Sequence, residues 1–192
     1  MKTIVWDIDD VLNDSTKTWL ENYWRINHSD CTLIYENITE NPPHRLLGIS
    51  SNDYLTSLDA FRLSPQADAM LPDSQLITWF DKKGMRYRHI ALTARPGKTV
   101  LPAIDWVLQH FGKWFQTFSY VPSERQGEAP GHPDRNKAGF LSWLDKADYF
   151  IDDNTSNVEA ARNLGITSFL VSRPWNRGGL SLTDIIKNKL SE

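Results

Sequence analysis

The chain has 192 residues, 40% of them hydrophobic and 23% charged, with a formal net charge of −3. That length suits one core domain with room for an inserted subdomain. The near-neutral balance lacks the basic footprint of a nucleic-acid binder, and no run approaches the ~18 apolar residues of a membrane span, so neither partner is expected. The single cysteine, Cys31, excludes an internal disulfide, and nothing near Met1 has the long apolar region of a signal peptide. A reducing cytoplasm is the expected setting.

Ile4-Val5-Trp6 reads as a short buried strand that runs into Asp7-Ile8-Asp9-Asp10. Residues two apart on extended backbone face the same way, so Asp7 and Asp9 can converge. Converging carboxylates repel each other unless a cation lies between them. Ser15 to Arg25 reads as a helix with Trp19, Leu20, Tyr23 and Trp24 on one face. Residues 26–72 carry short apolar bursts (Leu33 to Ile38, Leu46 to Ile49, Tyr54 to Phe61) broken by Asn41-Pro42-Pro43, Ser64-Pro65 and Leu71-Pro72. They read as a small helical insertion with its own minor core.

From Asp73 strand and helix alternate. Ser74 to Lys83 is a helix, with Leu76, Ile77 and Phe80 inward and Gly84 as its stop. Tyr87 to Thr93 is a strand. Pro102 to Phe111 is a helix with Ile104, Val107, Leu108 and Phe111 on one face, and Trp114 to Val121 is a strand. Residues 122–135 form a polar loop rich in Pro and Gly, readable as a lid, a partner surface or an inert connection. Asn136 to Leu144 is a helix, Tyr149 to Ile151 a strand, Ser156 to Leu164 a helix, Ser168 to Val171 the last strand and Ser181 to Leu190 the last helix. This repeat predicts an α/β fold, a Rossmann-like parallel sheet between helical layers, with right-handed crossovers. Ligands bind such sheets beyond the carboxyl ends of the strands, where the strand order reverses.

Those strand ends carry Asp7 and Asp9, Thr93, and Asp152 with Asp153, and Lys137 opens the helix before the fourth strand. Singly, Thr93 reads as a helix cap, Lys137 as a surface lysine and Asp152-Asp153 as a capped turn. Their joint placement along one sheet edge is what a structural role does not explain. The five histidines show no metal spacing and are assigned nothing.

Asp7-Ile8-Asp9-Asp10-Val11, Leu92-Thr93-Ala94, Lys137 and Ile151-Asp152-Asp153 resemble, in order, the four sequence motifs of the haloacid dehalogenase-like hydrolase superfamily. The resemblance spans the chain. It implies a core domain of residues 1–12 and 73–192, with residues 13–72 as a helical cap. Thr93-Ala94-Arg95-Pro96 and Arg173-Pro174-Trp175-Asn176-Arg177 further resemble the 5′(3′)-deoxyribonucleotidase-like branch. The implied activity is Mg²⁺-dependent hydrolysis of a small phosphomonoester, a nucleotide leading. Asp7 would be the nucleophile and Asp9 the acid and base, a role that burial among carboxylates favours by keeping Asp9 protonated. Asp7, Asp152 and the Asp9 carbonyl would hold the cation, with Asp153 orienting its shell. Thr93 and Lys137 would donate to the phosphoryl oxygens. Lys146, nearer Asp152 in sequence, is the alternative amine, but a residue at a helix start faces the strand ends, which favours Lys137.

Asp9 sets this chain apart from dehalogenases, which need no acid two residues after the nucleophile, while phosphoryl transfer between hydroxyls keeps the same residues. Thr93, Ala94, Arg95, Phe61 and Arg62 are the expected substrate contacts. Tyr35, Tyr54, Phe61, Trp19, Tyr23 and Trp24 read either as shelves for a nucleobase or as the cap's own packing. The alternatives are a phosphatase of sugar phosphates, nucleic-acid ends or phosphoproteins, and a catalytically idle binding domain of the same fold.

Overall fold

The computed structural model describes residues 1–123, 125 and 133–190. The elements, in order, are β1 (Lys2–Trp6), α1 (Ser15–Trp19), α2 (Arg25–Asn27), α3 (Ser51–Arg62), α4 (Pro65–Asp68), α5 (Ser74–Lys83), β2 (Tyr87–Ala94), α6 (Val100–Phe111), β3 (Phe115–Val121), α7 (Lys137–Leu144), β4 (Tyr149–Asp152), α8 (Thr155–Asn163), β5 (Thr167–Leu170) and α9 (Leu182–Asp184). A wider turn at Leu20–Trp24 joins α1 to α2 without a break, and another at Ile185–Lys189 extends α9.

The five strands form one parallel sheet in the order β3-β2-β1-β4-β5. Connections from β1 to β3 run one way along the sheet and those from β3 to β5 run back, so the order reverses between β1 and β4. Opposite directions with right-handed crossovers put helices on opposite faces. The period-two alternation of the strands matches this. Ile4, Trp6, Ala91 and Ile151 pack with Leu76 and Phe80 of α5, Trp106 and Phe111 of α6, and Ile185, Ile186 and Leu190. Val5, Ile90, Leu92 and Phe150 pack with Phe140 and Leu141 of α7 and Ala161 of α8.

Local chemistry sets the helix starts. Asp73 accepts from the N–H groups of Gln75 and Leu76, Asn136 from Gly139, and Asn154 from Ser156 and Asn157, each satisfying donors that a first turn leaves unpaired.

Three expectations change. Leu46 to Ile49 is a turn, not a helix, with Gly48 at φ 67° in the left-handed region that suits glycine. Along α6 the buried stripe runs through Ala103, Trp106 and Val107, and Leu108 is exposed. The insertion has no separate minor core: Trp19, Leu20, Ile38, Tyr54 and Phe61 belong to the same apolar cluster as Trp6 and Phe80. Part of the bridge is Trp106, whose Nε1 donates to the Met70 carbonyl at 2.8 Å. Among the described residues no helix is long and apolar enough to cross a membrane.

Candidate active site

Strand β1 ends at Trp6, but Asp7 keeps its register: its N–H donates to the Ile151 carbonyl of β4 at 2.9 Å. Asp7 thus stands beside the end of β4, where Asp152 closes the strand and Asp153 follows. Carboxylate oxygens of Asp7, Asp152 and Asp153 lie within 4.8 Å of one another, and all three residues are buried. Lys137 opens α7 and reaches between the strand ends. Its Nζ is 2.7 Å from Asp7 Oδ1 and 2.7 Å from Asp152 Oδ2, at 3% side-chain exposure. Lys146 is exposed.

Three carboxylates against one ammonium leave negative charge uncompensated. Burial pushes the Asp7 carboxyl up to about 7, since the neighbouring Lys137 only partly offsets it and Asp152 adds to the rise. Burial, then the charges of Asp152, Asp10 and Asp7, hold the Asp153 carboxyl well above the ordinary range. Burial works against the charge on Lys137 too, but Asp152 and Asp7 outweigh it and raise the amine. A buried all-oxygen set with surplus negative charge suits a hard divalent cation such as Mg²⁺.

Thr93, buried at the end of β2, and Ala94, exposed after it, line the same cleft of about 160 Å³ as Asp7, Asp9, Lys137 and Arg62. Asp9 differs from its expected state. Arg95 Nε donates to Asp9 Oδ2 at 2.9 Å and its Nη2 to Oδ1, while Arg62 Nη2 donates to Oδ2 at 2.8 Å. Burial alone would raise the Asp9 carboxyl, but the two guanidiniums overcome it and hold the group far below the usual carboxylate range. Asp9 is therefore an ion-paired carboxylate in this structure, not a neutral acid.

The other substrate-contact candidates divide. Arg62 borders the cleft, whereas Arg95 is buried between Asp9 and the Thr99 carbonyl, 3.2 Å from its Nη1. Phe61 is fully buried, its ring 5.7 Å from that of Tyr23, so it offers no shelf to a ligand. Trp19 is packed edge-on against Tyr54, and Tyr35 against Trp175. Among these aromatics Tyr54 borders the cleft. Most of loop 122–135, read as a lid or partner surface, lies outside the described residues.

Sequence reasoning left Asn157 unassigned, and it read the Arg173–Arg177 segment only as a family resemblance, with Asn176 either at the pocket rim or in a structural loop. Asn157, in the first turn of α8, points its Nδ2 at both Asp152 oxygens (3.3 and 3.2 Å). Trp175 Nε1 donates to Asp153 Oδ2 at 3.0 Å, and Asn176 Nδ2 to the carbonyls of Asp153 and Val171. Arg173 Nε donates to the Asp10 carbonyl at 2.6 Å. The segment after β5 therefore braces both acidic turns. Asp10, at φ 60°, accepts from the N–H and hydroxyl of Thr16 and so shapes the entry into α1. For Asn157 the signal was available: Asn154 is a cap, and a first-turn residue faces the strand ends.

Neither a scan against models of protein families nor a search of curated proteins finds a match. Solved structures do match. A haloacid dehalogenase-like family hydrolase from Streptococcus pneumoniae superposes with a TM-score of 0.64 at 16% identity, over 97% of this chain and 91% of that one. A Thermotoga maritima protein assigned as a beta-phosphoglucomutase gives 0.60 at 20% identity, over 99% and 98%. A Lactobacillus delbrueckii protein assigned as a phosphoglycolate phosphatase gives 0.61 at 13% identity, over 100% and 99%. With the strand order and the acidic turns at the sheet edge, these superpositions show that the chain has the fold of the haloacid dehalogenase-like hydrolases.

Proposed function

We propose that the protein is a Mg²⁺-dependent phosphatase that hydrolyses a small phosphomonoester through an aspartyl-phosphate on Asp7. The observation that carries this reading is the buried triad of Asp7, Asp152 and Asp153 at the sheet's reversal point, with Lys137 bridging two of them at 2.7 Å. In outline, Asp7 Oδ attacks phosphorus and the bond to the leaving alcohol breaks. Asp9 protonates that alcohol oxygen, then takes a proton from the water that attacks the phosphoenzyme and frees Asp7. Lys137 and Thr93 donate to the phosphoryl oxygens as charge spreads over them. Mg²⁺, held by Asp7, Asp152, Asp153 and the Asp9 carbonyl, would screen the nucleophile from the phosphate it approaches. Acid catalysis by Asp9 requires that one of its arginine contacts loosen when substrate enters and that the carboxylate first take up a proton, from solvent or from a monoprotonated phosphate ester.

The cleft of about 160 Å³ favours a compact ester. A deoxyribonucleoside monophosphate is the larger member of the class, and burial of Phe61 and Trp19 removes two shelves proposed for its base. The test is phosphate release with Mg²⁺ from a metabolite panel that includes sugar phosphates and deoxynucleoside monophosphates, wild type against Asp7→Asn. Release by the wild type alone supports the reading. Absence of Mg²⁺-dependent release from the whole panel would sink it, leaving an idle domain of the same fold.

A further inference from the structure

Arg62 is a third guanidinium set beside two carboxylates that already have one each. Arg95 grips both oxygens of Asp9. Arg125 grips both oxygens of Asp59, with Nε 2.8 Å from Oδ2 and Nη2 2.7 Å from Oδ1. Lys98 adds a further positive charge 3.4 Å from Asp59. Arg62 shares what is left. Its Nη2 reaches Asp9 Oδ2, its Nη1 stays 3.6 Å from Asp59 Oδ1, beyond hydrogen-bond range, and its Nε has no partner among the described residues. Its side chain is nonetheless only 9% exposed.

A buried guanidinium without a counter-ion of its own is costly, and the cost is removed when a ligand supplies the missing charge. Arg62 is placed to receive one, because it walls the cleft that also holds Asp7, Thr93 and Lys137. The cleft therefore has two poles. The aspartate pole around Asp7 has surplus negative charge and suits a cation with the phosphoryl group. The pole at Arg62 has surplus positive charge.

We propose that Arg62 binds a second oxyanion of the substrate, a carboxylate or a second phosphate carried on the leaving-alcohol side, and so selects the substrate. Pairing of Arg62 with that group would also draw it from Asp9, the loosening that acid catalysis needs. This inference rests on the phosphomonoesterase reading.

The test compares phosphate release, with Mg²⁺, from a two- or three-carbon phosphorylated hydroxy acid, its neutral amide and the corresponding bisphosphate. The proteins are wild type, Arg62→Met and Arg62→Lys. The wild type should favour one of the charged esters over the amide by about tenfold or more in kcat/KM, chiefly through KM. Arg62→Met should lose most of that preference, and Arg62→Lys should keep part of it. Which charged ester is favoured identifies the oxyanion. Equal wild-type efficiency on charged and neutral esters overturns the inference while leaving the phosphatase reading intact. Release from none of the three and none of the wider panel overturns both.

A second readout guards against misfolding. A hydrolysis-resistant phosphonate bearing the carboxylate should raise the wild-type melting temperature more than its amide does, and this difference should shrink in Arg62→Met. If Arg62→Met instead melts far below wild type and loses both esters in proportion, Arg62 is structural and the inference fails.

Discussion

Lys137 Nζ and Asp7 Oδ1 stand 2.7 Å apart, and both residues are buried. The ammonium is the positive group in contact with both Asp7 and Asp152. Lys137→Met should therefore destabilise the cation-free protein by about 3–5 kcal/mol, the cost of breaking a buried pair from one side. Urea unfolding with a chelator present measures this. Mg²⁺ should restore part of that stability, but phosphatase activity should stay down by about 10²-fold or more, because the proposed donor to the phosphoryl group is gone.

Asp7→Asn separates stability from turnover. It removes one of three mutually repelling carboxylates, so the chelated variant should melt above chelated wild type. Activity should fall by about 10³-fold or more with the proposed nucleophile lost. For wild type, Mg²⁺ at a hundred times its Kd should add about 2.7 kcal/mol of stability by mass action. Asp7→Asn should gain visibly less. Identical thermal shifts in the two proteins would remove Asp7 from the cation site.

His89 gives the pH dependence a direction. Its Nδ1 accepts from Trp6 Nε1 at 3.0 Å, so its Nε2 carries the hydrogen and donates to the Gly84 carbonyl at 2.8 Å. Burial pushes the imidazole down to about 4, with the Gly84 contact opposing it weakly. The unfolded ring binds its proton near 6.5, so between the two values the unfolded state holds more protons. Stability should thus fall as pH drops from about 6.5 to 4, by about 3 kcal/mol from this residue, and flatten below. His89→Gln keeps a donor and an acceptor and should remove that part of the slope in urea titrations across the window. Parallel slopes in the two proteins would refute the assignment.

Asp10 carries two duties that substitution can split. Its φ of 60° asks for a residue tolerant of the left-handed region, and its carboxylate caps Thr16. Asp10→Ala should cost about 2–3 kcal/mol, adding left-handed strain to a lost cap. Asp10→Asn, which tolerates that backbone and keeps an acceptor, should cost clearly less. Calorimetry on both variants decides, and equal costs would exclude a backbone contribution.

The sheet was legible because its signal is local. The unbroken apolar run Ile4-Val5-Trp6 marks a buried strand, whose residues the structure divides between the two faces, and Asp73, Asn136 and Asn154 sit at helix starts that their capping chemistry suits. The placement of Lys137 followed from the same rule, since a first-turn residue looks toward the strand ends. The surroundings of Asp9 were not legible. Its partners lie 53 and 86 residues away, and such pairs leave no periodic trace. Carboxylates nearby in sequence predicted a crowded, neutral acid, while the fold brings in arginines instead. Phe61 misled for a related reason: an aromatic on a half-buried helix reads alike whether it faces a ligand or the Tyr23 ring.

The central position of β1 has a consequence for synthesis. Its two neighbours are β2, residues 87–94, and β4, residues 149–152, which pair with Ile4 through Trp6 from opposite sides. On the ribosome, a growing chain carries this apolar ribbon with one flank open until β4 has emerged. An open, uncharged strand edge is a template for association with other chains. Fragments ending before residue 149 should accordingly be sticky and dependent on chaperones, whereas the chain that includes β4 can shelter the ribbon on both flanks.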